Sequence, residues 1–470
     1  MTLEHCKRYA VWLPLLCGAG GASFFLGREL WFDEALTVTN FMLPLSPGEI
    51  YRAYTIPNNQ IVYTVALKLW DSVMPEAADP VAFWRTLSLL FGLGTVGLLT
   101  AFRRRVGGSV RWSDLWVLCA LALSPVFRNY ATALRGYALS WLWIALALHG
   151  AYDIFHGRPG RGWTLYTPAA LGAVGTVPTN LLALGAVVLY AWPWSRRDFW
   201  RDGRLWGLAL TPLLALALFY LPILPMFLNT FTLNEGFSGR FRALALVYGA
   251  AALTFGLLLA AEAARWKAAP EWRTRWGRAA VWLLVFVPVF CLHQAPFPRV
   301  FSPLFPVFAM LLCDALTAVR WTRGKALTAV AAWAAAQFLL NASLPMLAAR
   351  AGLSRYEDDY LAPWYMAPDY SVRRLLPELR EHPDLRTLFL SFNSDPCPIL
   401  FYAALADCRV DFQPDLPYGR VKTLPPDAWF ALRGDDDVRS FETRFGRTLI
   451  PAEAIGHLRL YRSGAPLGKR

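Results

Sequence analysis

Charge is scarce in this sequence: Asp, Glu, Lys and Arg together make up 17% of 470 residues, against roughly 25% in a typical soluble chain. With 56% of the residues hydrophobic, there is too little polar side chain to cover a soluble globule, and the balance is that of a membrane protein. Histidine is rarer still, at six, and neither it nor the seven cysteines fall at metal-ligand spacing, so no metal site is expected from them. Cys6, Cys17, Cys119, Cys291 and Cys313 lie in or beside apolar stretches and read as small buried hydrophobes. A glycine-rich phosphate loop of the nucleotide-binding type is also missing, and there is no internal repeat.

The formal charge is nevertheless +13, which in a soluble protein would point to nucleic acid. Its distribution excludes that partner. From residue 351 onward there are 16 Lys and Arg against 17 Asp and Glu, leaving 30 against 16 in the first 350 residues. The whole surplus therefore sits between apolar stretches, the pattern of loops obeying the positive-inside rule.

Eleven apolar stretches recur, near 9–26, 82–102, 112–126, 136–152, 163–177, 180–194, 205–228, 243–264, 279–292, 300–319 and 326–347, most of them close to the length that crosses a bilayer. With the N-terminus in the cytoplasm, alternation places 20 of the 30 cations on inner loops, which fixes the orientation. The expected fold is an all-α polytopic membrane protein of about 11 transmembrane helices, spanning residues 1–349 and including an outer loop at 27–81. A small extracytoplasmic α/β domain follows at 350–470. The localisation expected is multi-pass in the plasma (inner) membrane. Cys397 and Cys408 fall in this outer, polar tail, where oxidising conditions allow a disulfide between them.

The outer loop 27–81 mixes aromatic residues with charge, as interfacial helices do. Asp33 and Glu34 form an acidic pair directly after Trp31 and Phe32. Such a pair suits a general base, and equally suits capping of the helix that begins at Ala35. Three arginines stand out on the same side: Arg128 and Arg135 around a tight turn, and Arg299 within Pro296-Phe297-Pro298-Arg299. A guanidinium near the hydrocarbon boundary is costly unless it snorkels or meets an anion, and its fork matches phosphate.

At these residues a resemblance becomes specific. The run Trp31-Phe32-Asp33-Glu34-Ala35 comes first, then Pro57-Asn58-Asn59 before a Tyr-rich juxtamembrane helix containing Tyr63, then Trp84-Arg85-Thr86-Leu87-Ser88. Arg135-Gly136-Tyr137-Ala138-Leu139 and Arg299 with Pro303 and Pro306 complete the series. In this order they resemble the GT-C membrane glycosyltransferases, in particular the bacterial relatives of protein O-mannosyltransferases and aminoarabinose transferases. The similarity is strongest over residues 9–155, weaker to 347 and absent from the tail. One departure is Gln60, where related sequences often carry His; a neutral amide neither takes nor gives a proton there.

The resemblance implies a polyprenyl-phosphate sugar as donor and a hydroxyl of a glycan, lipid or protein as acceptor, on the outer side of the membrane. Asp33 is then the expected base and Glu34 its support, with a divalent cation at the pair left open and no other cofactor called for. Arg135, Arg299 and Arg128 are expected at the donor phosphate, and Asn58, Asn59, Gln60, Tyr63, Arg85 and Tyr137 at the substrate. The tail is expected to shape acceptor choice or to cover the site. A transporter or lipid flippase is the rival class, although its usual marks, repeated halves and mid-span ionisable residues, are not evident in the sequence.

Overall fold

The computed structural model describes residues 11–54, 59–196, 199–232, 272–291, 302–317 and 321–335. In the tail it describes 372–373, 376–377, 385, 387–391, 394, 396–406, 411–415, 428–433, 435–455 and 458–466. The chain divides into two compact units, one of Met1–Gly27 with Leu45–Pro363 and one of Arg28–Pro44 with Trp364–Arg470.

Among its described residues the regular elements of the first unit are all helices. It contains α1 (Leu13–Ser23) and, after the second unit's α2 (Phe32–Thr37), the short α3 (Pro47–Arg52) and α4 (Ile61–Asp71). Then follow α5 (Pro80–Gly107), α6 (Trp112–Ala122), α7 (Pro125–Ala131), α8 (Tyr137–Phe155), α9 (Pro159–Thr176), α10 (Asn180–Ala191) and α11 (Gly203–Tyr220). Then come α12 (Leu224–Thr232), α13 (Trp272–Cys291) and α14 (Phe305–Leu316), and residues 323–335 are helical as well. Local sequence sets many of the boundaries. The Asp79 carboxylate accepts from the Ala82 N–H at 2.9 Å ahead of Pro80, and the Ser124 hydroxyl does the same for Phe127 at 3.1 Å ahead of Pro125, pairing a capping oxygen with a residue that needs no donor. Gly108, at φ +70°, ends α5 in the left-handed conformation that glycine adopts without penalty.

Three helices have the length and apolarity of membrane spans: α5, α8 and the run Gly203–Leu228 from α11 into α12. The other expected spans within the described residues are also helical but shorter or less apolar. The expected span 243–264 lies outside the described residues, as do 9–10, 292, 300–301, 318–319 and 336–347 of others.

Helix packing relies on close approach. A Cβ built at Gly150 of α8 would stand 2.7 Å from the Tyr166 nitrogen and 2.8 Å from the Gly162 oxygen of α9, so the two backbones meet where only glycine fits. Around that contact Leu148, Ala151, Ile154, Ala170 and Ala173 are fully buried. Where α5 ends, Arg103 donates from Nη1 to Asp314 of α14 at 2.7 Å and from Nε to Asp114 of α6 at 3.1 Å, while Tyr190 of α10 donates to the other Asp314 oxygen at 2.9 Å.

The second unit holds a five-stranded sheet of β1 (Thr387–Ser391), β2 (Asp411–Asp415), β3 (Trp429–Leu432), β4 (Arg447–Ile455) and β5 (Leu458–Pro466), in the order β2-β1-β3-β5-β4. β1 is parallel to β2 and β3, and β5 is antiparallel to β3 and β4. Two helices, α15 (Pro396–Leu405) and α16 (Asp435–Phe445), accompany it. The α/β character expected of the tail is thus present, but the unit also includes Arg28–Pro44, which the sequence groups with the outer loop. The reason is specific bonding: the Glu29 carboxylate accepts from the N–H groups of Val372 and Arg373, the Leu30 N–H donates to the Tyr402 hydroxyl at 3.0 Å, and α2 packs against α15.

Candidate functional site

The acids and the arginine turn fall in different units. In the second unit, α2 opens with Trp31 as its N-cap in extended conformation. Glu34 has no exposed surface; one of its oxygens accepts from the Trp31 N–H at 3.3 Å and the other lies 3.5 Å from the Arg28 guanidinium. That is a capping arrangement reinforced by a charge at the positive end of a helix. Asp33 is partly exposed, and its backbone oxygen accepts from the Thr37 hydroxyl at 2.8 Å. The two acids differ in burial: Glu34 has no exposed surface and back-bonds to its own helix start, whereas Asp33 is partly exposed.

In the first unit, the turn 132–136 between α7 and α8 is held at three points. Arg85, fully buried on α5, donates from Nη1 to the Thr132 carbonyl at 2.6 Å. Ser88, one turn further along, donates to the Ala133 carbonyl at 2.7 Å and shares a 2.7 Å bond with the Tyr63 hydroxyl. Gln60, capping α4, accepts from the Gly136 N–H through its side-chain oxygen. A Cβ at Gly136 would meet Thr176, would lie 3.0 Å from that Gln60 oxygen and 3.1 Å from the Tyr63 Cβ, so glycine is needed for the close approach.

This fixed turn carries Arg135, which is 4% exposed. Its guanidinium carbon lies 5.8 Å from the Tyr137 ring centre, within cation–π range. Its charge also acts on Tyr54. Burial pushes the Tyr54 phenol up to about 12, against the pull of Arg135, so Tyr54 stays neutral. Arg128 sits on α7 with its guanidinium 4.6 Å above the Phe25 ring. Asn59 is buried, donating to the carbonyls of Ile50 at 2.7 Å and Ala53 at 3.1 Å, and so shapes the chain leading to Tyr54.

Of the residues expected at the site, Gln60, Tyr63, Arg85, Arg135 and Tyr137 come together around one turn. Gln60, Tyr63 and Arg85 serve there as the frame that aims Arg135. Asn58, Arg299 and Cys408 lie outside the described residues, and with Cys408 the expected disulfide to Cys397. Sequence reasoning assigned no role to Ser88, Thr132 or Tyr54. Ser88 sat within a recognised motif, but nothing local signals that its hydroxyl spans two chain segments. Among the described residues no group of three or more His, Cys, Asp and Glu is placed to hold a metal ion. The chain matches no protein-family model, and neither the curated proteins nor the solved structures provide a match.

Proposed function

We propose that the protein is an inverting glycosyltransferase that moves a sugar from a polyprenyl-phosphate donor to an acceptor hydroxyl on the outer side of the membrane, on a GT-C-like scaffold of about eleven spans. The acceptor oxygen attacks the anomeric carbon as the Asp33 carboxylate takes its proton. The bond from that carbon to the phosphate oxygen breaks, and polyprenyl phosphate leaves with the bonding electrons. Arg135, with Arg299 and Arg128, stabilises the leaving phosphate, and single displacement inverts the anomeric centre. Glu34 supports Asp33 by fixing the first turn of α2.

The observation that carries this reading is the Arg135 turn: a nearly buried guanidinium flanked by tyrosine and held through Arg85, Ser88 and Gln60. A fork so constrained suits a phosphate oxygen pair better than bulk solvent. The partial exposure of Asp33 beside a committed Glu34 supports assigning the base to Asp33.

The test uses the purified full chain in detergent with polyprenyl-phosphate hexoses and pentoses, scoring donor consumption with and without added divalent cation. Asp33→Asn, which keeps size and hydrogen-bonding shape, is expected to lose about 10²-fold or more in turnover while its melting temperature is unchanged. Transfer by Asp33→Asn at the wild-type rate refutes the assignment of the base. A wild-type protein that consumes none of these donors refutes the transferase reading.

A further inference from the structure

The three helices with the character of membrane spans each bring one end to the same corner of the first unit. α5 ends there with Arg105, α8 with Asp153 to Phe155, and α11 starts there with Arg204. The connection into α9 adds Arg158 and Arg161, and the one before α11 adds Arg196. Asp153, fully buried, pairs with Arg105 and lies 3.6 Å from Arg161 Nε. The Arg158 N–H donates to the Asp153 carbonyl at 2.9 Å. Arg204 and Arg196 donate to the Ile154 and Phe155 carbonyls at 3.5 and 3.3 Å, while Asp202 takes Arg204 at 2.6 Å and stands 3.8 Å from Arg196.

Four guanidinium groups, those of Arg105, Arg161, Arg196 and Arg204, thus meet Asp153 or the carbonyls at the end of α8, with Asp153 and Asp202 as the carboxylates that pair with them. The excess is positive, and it is accessible: Arg161 and Arg196 are 59% and 42% exposed. These two arginines touch residues only two apart on the last turn of α8. On α11, directly after Arg204, Trp206, Leu210, Leu213 and Leu214 are exposed, at the spacing that lines one helix face. Trp200 is exposed too, and its carbonyl accepts from the Trp206 indole at 3.0 Å. Indoles at headgroup depth above an apolar, lipid-facing stripe are the mark of a membrane interface. A free anion would use the arginines alone, whereas a phospholipid uses the arginines, the indoles and the stripe beneath them.

We propose that this corner binds the headgroup of an anionic phospholipid, with Arg161 and Arg196 on the phosphate oxygens and the acyl chains along the exposed face of α11. The positive-inside orientation puts the corner on the cytoplasmic leaflet, where anionic lipids are met. This site is separate from the Arg135 turn and does not depend on the transferase reading.

The experiment follows the melting temperature of the full chain in zwitterionic detergent during titration with diphosphatidylglycerol, phosphatidylglycerol, phosphatidylcholine or inorganic phosphate. The anionic lipids are expected to raise it saturably, phosphatidylcholine and inorganic phosphate not at all. Arg161→Gln with Arg196→Gln leaves Asp153 paired with Arg105 and Asp202 with Arg204, so the lipid-free protein should remain folded. Half-saturation should then require roughly 25-fold more anionic lipid, about fivefold per arginine removed. Should that variant prove unstable, Arg161→Lys with Arg196→Lys, which keeps the charge, is expected to bind within a few-fold of wild type and Arg161→Glu alone far more weakly. Equal shifts with phosphatidylcholine, reproduction of the shift by inorganic phosphate, or unchanged lipid titration in the neutral or acidic variants would each overturn the proposal.

Discussion

Removing the Arg103 guanidinium should be among the most damaging single changes to the first unit. Its side chain is 5% exposed and meets Asp114, at 1%, and Asp314, at 24%. Asp114 also accepts from the Arg111 N–H at 3.0 Å and so caps α6, while Asp314 accepts from Tyr190. One cation thereby joins α5, α6, α14 and, through Asp314, α10. Arg103→Met conserves much of the aliphatic stem but strands two carboxylates in low dielectric. Breaking a buried pair from one side costs about 3–5 kcal/mol, which in a chain of this size lowers the melting temperature by on the order of 5 °C. The assay is thermal unfolding of purified protein in detergent, with Arg104→Met, an exposed neighbour, as the control. Adding Asp114→Asn and Asp314→Asn to Arg103→Met should recover much of the loss, because neutral amides need no countercharge. Equal melting of the Arg103→Met and Arg104→Met proteins, or no recovery in the triple variant, would refute this account of the cluster.

Arg135→Ala is expected to weaken donor use at least tenfold, with Arg135→Lys restoring only part because a point charge lacks the fork; rates across donor concentration measure both. Gly136→Ala should push the turn off Gln60 and Thr176, reproducing the donor defect of Arg135→Ala and also lowering the melting temperature, unlike a change confined to the guanidinium. A reporter fused after Arg470 should be active only outside the cytoplasm and one fused near Arg104 only inside. Agreement between the two on one side would show the span number to be wrong by an odd count.

What the sequence made legible was whatever is encoded locally. The Asp79-Pro80, Ser124-Pro125 and Ser46-Pro47 pairs each begin a helix in the structure, although the apolar stretch expected at 112–126 runs across the second of them. Apolar runs announced helices, although their separation into eleven spans rests on length, and several helices end after 11 or 12 residues. The tail's α/β character was readable from its short apolar runs, but not which runs would be strand: 387–392 contains the strand Thr387–Ser391, whereas 399–406 falls largely in the helix Pro396–Leu405. Less legible was anything carried by distant pairs. Gln60 drew attention as a missing proton carrier, yet its side-chain oxygen holds the Gly136 amide, 76 positions away. The sequence set Asp33 and Glu34 side by side as expected base and support, but not the burial of Glu34, its Arg28 contact or its back-bond to the Trp31 amide.

The bond between the Leu30 amide and the Tyr402 hydroxyl links positions 372 residues apart, and this separation sets a schedule for biogenesis. A ribosome adding about 5–20 residues per second synthesises Tyr402 roughly 20–75 s after Leu30. Throughout that interval the segment bearing Asp33 has left the ribosome without the chain that completes its fold, while the helices after it are still being inserted. Its ordering is therefore among the last events of maturation. A nascent protein released early would carry this segment unfinished, and quality-control proteases would distinguish it from the finished molecule by that segment.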